Sequence, residues 1–148
     1  MPPSLSDRLR AAMNEARKNR DQARTLLLST ILADLQNRDI ELKHPVSDVE
    51  AMEVLRRGIK RRREAIEMYA KGGRKDLEDK EAAEIRIIEE FLPPEAASED
   101  IRAAVREAIA GGAKDLGQVM GQVMPKFKGR ADGKVVNQIA REELAATV

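Results

Sequence analysis

The sequence predicts an all-α protein, and three observations support this prediction. Apolar residues recur at helical spacing along nearly the whole chain, the alternation typical of strands is missing, and glycine and proline fall mostly between periodic segments. These breaks predict an N-terminal helical domain of about four helices and a small three-helix C-terminal domain. We place the first domain at residues 1–92, a linker at 93–97 and the second domain at 98–148.

The composition limits the function classes. Hydrophobic residues make up 42% of the 148 residues, enough for a packed core, while the 36% of charged residues sum to a net charge of only +1. Any nucleic-acid contact must therefore come from a local basic patch. The sequence has no cysteine, no signal-peptide pattern and no run approaching the roughly 20 apolar residues that span a bilayer. We expect a cytoplasmic protein that does not interact with membranes.

Helices one and two can be placed by their caps and apolar faces. Ser4 or Ser6 is suited to cap helix one. Helix two extends from about Asp21 to Glu41, and its apolar residues cover a wide sector, which predicts a central helix with more than one neighbour. Those residues are Leu27, Leu28, Ile31, Leu32 and Leu35.

Helices three and four follow the break at His44-Pro45. Ser47 and Glu50 have the spacing of a capping box that opens helix three, and Gly72-Gly73 ends it. Helix four extends from about Lys75 to Leu92, where Pro93-Pro94 stops it. The predicted inward residues of these two helices are Met52, Leu55, Ile59, Ile66, Ala70, Leu77, Ile85, Ile88 and Leu92.

Three further helices form the C-terminal domain. Ser98 is the predicted cap of helix five, which Gly111-Gly112 ends, and helix six begins near Asp115 and stops before Pro125. Asp132 is the predicted cap of helix seven. The packing residues expected in these helices are Ile101, Val105, Ile109, Leu116, Val119, Met120, Val123, Val135, Val136, Ile139, Ala140 and Leu144.

The segment between helices six and seven, which we call the basic loop, spans residues 126–134. Lys126, Lys128, Arg130 and Lys134 bring four cations to the start of helix seven, where Asp132 is the single carboxylate. Cations near unpaired backbone N–H groups suit an anion such as a nucleic-acid phosphate. A binding role is therefore favoured over a simple solvated turn.

Two neighbouring features have both a structural and a functional interpretation. Gly117 and Gly121 are four residues apart, so they share one helix face on which either another helix or an RNA backbone could lie. Close helix packing is the interpretation favoured by this spacing. Phe127 could stack on a base, but the chain has only two Phe, one Tyr and no Trp. Anchoring of the loop in the core is therefore favoured.

The arginine-rich run in helix three, residues 56–63, is the other basic segment. Glu53, Glu64 and Glu67 lie on the same face, four residues from Arg57, Lys60 and Arg63 respectively, at the spacing of neutralising pairs. This favours a solvated surface with internal ion pairs over a nucleic-acid site.

Nothing in the sequence predicts catalysis. Glu41 and His44 have the Glu-x-x-His spacing of di-iron bundles, but a second copy and further carboxylates are missing, and the acidic residues of helix four alternate with cations. No phosphate-binding Gly-x-x-x-x-Gly-Lys motif, dinucleotide fingerprint or nucleophile beside a histidine is present. We therefore expect no metal site, no cofactor and no catalytic residue.

Several segments together resemble the GatB/YqeY family, in particular its standalone YqeY type. The resemblance is strongest in the C-terminal third and extends over the whole chain. The segments are Asp115-Leu116-Gly117-Gln118-Val119-Met120-Gly121, Val123-Met124-Pro125-Lys126, Gly129-Arg130-Ala131-Asp132-Gly133-Lys134-Val135-Val136-Asn137, Arg61-Arg62-Arg63-Glu64-Ala65-Ile66-Glu67 and Glu90-Phe91-Leu92-Pro93.

This resemblance implies a helical domain followed by a three-helix tail. In that family the tail closes the GatB component of the glutamine-dependent aspartyl/glutamyl-tRNA amidotransferase and contacts tRNA. The kinase-like catalytic domain of GatB has no counterpart in this sequence, so its chemistry does not carry over. The resemblance implies tRNA contacts at Gly117, Gly121, Lys126, Lys128, Gly129, Arg130, Gly133 and Lys134.

The sequence therefore leads to two hypotheses of different classes. The first is a non-catalytic RNA-binding module, with tRNA as the expected ligand and no DNA specificity, at most an accessory to a carbon–nitrogen ligase. The second is a protein-interaction adaptor that docks a partner helix between its two helical domains. Binding to tRNA that depends on the basic loop would separate them.

Overall fold

The computed structural model describes residues 2–147, which form helices and turns and contain no strand. The predicted all-α class is confirmed. In chain order the elements are α1 (Leu5–Lys18), α2 (Gln22–Leu42), α3 (Asp48–Lys71), α4 (Lys75–Glu89), α5 (Ser98–Ala110), α6 (Leu116–Val123), a 3₁₀ turn (Met124–Phe127) and α7 (Gly133–Ala146).

The chain divides into two compact units, Met1–Leu92 and Pro93–Val148, each with its own hydrophobic cluster. The segment predicted as a linker belongs to the second unit, where the Ala96 N–H donates to the Arg130 carbonyl at 2.8 Å. The independence of the two units as folding domains stays a prediction.

The helix starts of the first unit follow local sequence signals. Ser4 caps α1 by accepting from the Asp7 N–H, and Ser47 and Glu50 form the predicted capping box at α3. The Asp48 carboxylate also accepts a hydrogen bond from the Leu5 N–H at 2.9 Å. This long-range bond ties the start of α1 to the start of α3.

Four helices surround the core of the first unit. Helix α1 packs mainly on α2, α3 packs mainly on α4, and both α1 and α2 also contact α3. The predicted placement of α2 beside more than one neighbour is therefore confirmed. The buried cluster consists of Leu5, Leu9, Leu27, Leu28, Ile31, Leu35, Ala51, Leu55, Ile59, Ile85, Ile88 and Phe91.

Two details of helices three and four differ from the prediction. Ala70 is exposed and Ile66 only half-buried, because the buried residues of α3 are confined to its N-terminal half. Helix α4 ends at Glu89 and not at Leu92. Residues 90–92 continue as turns. Phe91 is buried there, and the guanidinium groups of Arg8 and Arg24 each lie 5.9 Å from its ring centroid.

In the second unit, α5, α6 and α7 all contact one another. The predicted cap of α5 is wrong: Ala97 is the N-cap and Ser98 is the first helical residue, with no side-chain cap bond. Val135, predicted to pack, is 43% exposed on α7. The buried cluster consists of Ile101, Ala104, Val105, Ala108, Ala113, Val119, Val123, Phe127, Val136, Ile139 and Ala140.

Candidate nucleic-acid interface

Helix α6 begins with a cap that uses its own side chains. The Asp115 carboxylate accepts from the Gln118 N–H at 2.8 Å, and the Gln118 side-chain oxygen accepts from the Lys114 N–H at 2.7 Å. These bonds place side-chain oxygens at the backbone N–H groups where an anion would bind. The Asp115 carboxylate at this helix start therefore disfavours an anion there, which leaves the exposed side of α6 as the surface for a contact.

Gly117 and Gly121 form a flat strip on the exposed side of α6, which we call the glycine face. Apart from the adjacent backbone of α6 itself, a Cβ atom added at Gly121 would meet no atom of residues 2–147 within 4 Å, and one at Gly117 would meet only Asp115 Oδ1 at 3.4 Å. Within the described residues, no helix of this chain therefore packs closely on the strip, contrary to the favoured interpretation. Gln118 and Gln122 are exposed beside the strip. The Gln118 side-chain oxygen already accepts from the Lys114 N–H, so Gln118 has its NH₂ group to offer to a ligand.

The start of the basic loop is a continuation of α6. Pro125 occupies the first turn of the 3₁₀ helix, where its missing N–H removes no hydrogen bond. Phe127 is 7% exposed within the core cluster, so the prediction that it anchors the loop is confirmed. Its ring is therefore not available to stack on a base.

Backbone geometry fixes the middle of the loop. Gly129 has φ +74°, which an L side chain rarely adopts, and it is buried. It therefore shapes the turn and offers little surface to a ligand. The Arg130 N–H donates to the Phe127 carbonyl at 2.9 Å, and Gly133 is the half-buried first residue of α7.

The predicted cap of α7 is confirmed, since the Asp132 carboxylate accepts from the Lys134 N–H at 2.9 Å. Because this carboxylate occupies the helix start, a phosphate would have to be bound by the neighbouring cations. Lys128 and Lys134 are exposed and Arg130 is half-buried, and no carboxylate in residues 2–147 lies within ion-pair distance of them. Lys126 lies 3.9 Å from Glu107, a long contact between two exposed side chains that contributes little.

The cations of α3 have different surroundings from those predicted. In the described part of the chain, Arg57 forms no ion pair with Glu53, and Lys60 forms none with Glu64. Arg62 instead turns toward α4. Its guanidinium binds Glu84 at 3.1 Å and the Gly58 carbonyl at 3.0 Å.

A buried carboxylate that the sequence analysis missed joins α5 to α7. Glu143, 7% exposed, accepts from Arg102 at 2.7 Å and from Arg106 at 3.1 Å, and Arg102 also binds Glu142 at 2.7 Å. Hydrogen bonds from Arg106 and then Arg102 lower the pKa of Glu143, and the Arg102 bond lowers the pKa of Glu142. The available signal was the four-residue spacing of the two arginines.

A groove of about 290 Å³ between α5 and α7 borders the basic loop at Lys134. Arg102 and Glu142 in its wall already bind each other, so the groove has few unpaired charges to offer. Its lining residues are Ser98, Arg102, Lys134, Val135, Gln138, Ile139 and Glu142.

The single histidine, His44, contacts the Pro45 carbonyl group and the Glu50 carboxylate. His44 Nδ1 is 2.9 Å from the Pro45 carbonyl oxygen, and Nε2 is 3.6 Å from Glu50. Among residues 2–147, no three His, Asp or Glu side chains gather where they could hold a metal ion. None of the helices in that range is long and apolar enough to cross a membrane.

Comparison with known proteins gives the family. The Yqey-like protein family matches residues 6–144. An uncharacterized protein of Schizosaccharomyces pombe is 29% identical over 96 residues, covering 65% of this chain and 78% of that protein. The mitochondrial protein "Altered inheritance of mitochondria protein 41" of Pyrenophora tritici-repentis is 27% identical over 145 residues, covering 94% of this chain and 80% of that protein. The chain belongs to the Yqey-like protein family.

Proposed function

We propose that this protein is a non-catalytic RNA-binding module whose ligand is tRNA. The observation that carries the proposal is the set of cations in the basic loop, Lys128, Arg130 and Lys134, for which residues 2–147 supply no ion-pair partner. Phosphate contacts supply much of the affinity of nucleic-acid-binding proteins. The proposed contact residues are Lys126, Lys128, Arg130, Gly133 and Lys134 together with the glycine face, while the buried Gly129 shapes the loop.

The chemistry of the glycine face favours helical RNA as the part that is bound. Without side chains at Gly117 and Gly121, a nucleic-acid backbone can approach the helix closely. Gln118 and Gln122 offer amides that can hydrogen-bond to the 2′-hydroxyls exposed in the shallow minor groove of RNA helices. Because Phe127 is buried, the second unit has no exposed aromatic platform for single strands. We therefore expect shape-based RNA recognition and no DNA specificity.

The expected role is accessory. The resemblance of the C-terminal sequence segments to the GatB tail of the tRNA amidotransferase supports a module that would help a carbon–nitrogen ligase hold its tRNA. Neither of the two fungal relatives has a name that states an enzymatic activity. The cytoplasm is the compartment that we propose, and the mitochondrial label in one relative's name describes that relative.

The test compares two double variants in a tRNA-binding titration over a range of salt concentrations. K128A/K134A removes two exposed cations from the basic loop, and R57A/K60A removes two exposed cations from α3. Removing one phosphate contact should lower the slope of log affinity against log salt by about 0.7 to 0.9. We expect the loop variant to bind more weakly with a flatter slope, and the α3 variant to resemble the parent.

A larger loss of affinity in the α3 variant would contradict the loop assignment. If the parent chain fails to bind tRNA, the RNA-binding proposal is wrong and the adaptor hypothesis takes its place. Affinity capture from cell extract with and without ribonuclease then identifies whether the partner is a protein.

A further inference from the structure

Helix α2 has an exposed surface unlike that of its neighbour α3. Of the ten exposed residues of α2, Glu41 alone is charged, whereas nine of the eleven exposed residues of α3 are charged. A solvated helix surface normally carries charge, and interface cores are depleted of it. In a chain with 36% charged residues, the outer surface of α2 therefore has the composition of a contact surface.

Seven of the nine uncharged exposed residues, all except Gln22 and Ala23 in the first turn, form one continuous stripe along α2, which we call the α2 face. Its centre is Ala33, and its two ends are Leu26 and Ile40, which are 70% and 75% exposed. Helix α2 packs against α1 and α3 through its opposite side. The stripe consists of Leu26, Ser29, Thr30, Ala33, Gln36, Asn37 and Ile40.

The α2 face is complementary to itself under a two-fold rotation about Ala33. An antiparallel second helix would place Leu26 opposite the partner subunit's Ile40, and Ser29 opposite the partner subunit's Asn37. Thr30 would face the partner subunit's Gln36, and Ala33 would face its own copy. The seven residues of the stripe therefore pair entirely among themselves, as an isologous interface requires.

Side-chain size also suits this arrangement. The small Ala33 at the centre permits close approach, and helices that pack together lie about 8–10 Å apart. The apolar ends, Leu26 and Ile40, are 14 residues or about 21 Å apart along the helix, so both pairs can be buried at once. The Thr30 hydroxyl already donates to the Leu26 carbonyl at 3.0 Å, so its proton is satisfied within the helix.

We propose that the α2 face binds a second copy of this chain, so that the protein forms a two-fold dimer through antiparallel α2 helices. The uncharged stripes of the two copies face each other, and the polar pair Ser29–Asn37 sets the register. This dimer does not depend on RNA binding, because its residues lie in the other unit of the chain.

Sedimentation equilibrium of the full chain over a range of concentrations tests the dimer. The parent should form a concentration-dependent dimer. L26E/I40E should weaken it roughly a hundredfold, because two apolar anchors are removed and carboxylates are placed in the interface. M68E is the matched control, since Met68 is 73% exposed on α3 and its change should leave the dimer intact.

Cysteine cross-linking tests the geometry, because the chain has no native cysteine. Facing Cα atoms at the axis would lie within the roughly 4.4–6.8 Å that a disulfide spans. A33C should therefore cross-link to itself on oxidation. L26C alone should not, since two copies of residue 26 would lie about 21 Å apart. L26C mixed with I40C should cross-link.

Three outcomes would contradict the proposed dimer. A monomer at all concentrations overturns it, and a dimer that persists in L26E/I40E assigns the interface to another surface. Efficient cross-linking of L26C to itself contradicts the antiparallel arrangement. All of these positions are exposed, so circular dichroism should show the parent helix content in every variant.

Discussion

The two units of this chain are stabilised in different ways. The first buries mostly Leu and Ile, and within the described residues none of its polar or charged side chains is fully buried. The second has a core rich in Ala and Val and buries Glu143 beneath two arginines. A domain of about 60 residues buries only about 60% of its surface. In the smaller unit, charge-assisted hydrogen bonds therefore supplement a core of small side chains.

The largest expected difference between the units appears when the chain is cut. Fragment 1–92 should keep its helices and unfold cooperatively, while fragment 93–148 should be only marginally stable because it buries little core. Circular dichroism during heating of each fragment measures this. If the isolated fragment 1–92 loses its helix content while the full chain keeps it, the two units are not independent domains.

The next largest effect should come from the Glu143 network. Hydrogen bonds from Arg106 and Arg102 lower the pKa of Glu143 from its ordinary 4.5. A lowered carboxylate pKa stabilises the folded state above the unfolded pKa, and this stabilisation is lost as the pH falls through the folded pKa. E143Q should therefore lower the melting temperature at neutral pH, and the difference from the parent should shrink below about pH 4.5.

Comparing each variant with the parent cancels the titration of the carboxylates that they share. E142Q is the control, because Glu142 is exposed and binds only one arginine. It should change the melting temperature less than E143Q does. If the E143Q difference is the same at pH 3 and pH 7, the carboxylate charge contributes no stability to this unit.

Much of the fold could be predicted from local sequence patterns. The capping box of Ser47 and Glu50 and the cap at Asp132 depend on residues close in sequence, so their chemistry is visible without the fold. The burial of Phe127 followed from the shortage of aromatic residues. The eight contact residues assigned from the family resemblance stay a prediction.

The incorrect predictions have a common physical cause. The periodicity of a helix shows which residues share a face, but it does not show which other element, if any, packs on that face. Gly117 and Gly121 have the spacing of a packing face, yet no helix of the second unit covers them. Val135 fits the apolar stripe of α7 but lies at its edge, 43% exposed. The partners of Arg62 and Glu143 are distant in sequence. The four-residue spacing of Arg102 and Arg106 places both on one helix face but does not identify the carboxylate that they bind.

Arg61 and Arg62 are adjacent on α3 but differ in exposure, so their substitution compares an exposed ion pair with a half-buried one within the first unit. Arg62, whose side chain is 16% exposed, binds Glu84 on α4 and the Gly58 carbonyl, so R62A should cost about 1.5 to 3 kcal/mol. Arg61, 66% exposed and 3.6 Å from Asp34, should contribute less than about 1 kcal/mol. Urea unfolding of R62A and R61A measures both. Equal losses would mean that Arg62 does not anchor α4.

The smallest expected stability effect, at Gly121, has the opposite sign. Glycine inside a helix costs about 0.5 to 1 kcal/mol relative to alanine, and an added Cβ at Gly121 meets nothing within 4 Å. G121A should therefore stabilise the second unit by about that amount. The same methyl group would stand between α6 and an RNA backbone, so tRNA affinity should fall as stability rises.

A103G, the reverse change at an exposed position of α5, should lower stability and leave affinity unchanged. Urea unfolding and a tRNA titration of both variants decide the matter: if G121A binds as tightly as the parent, the glycine face is not an RNA contact.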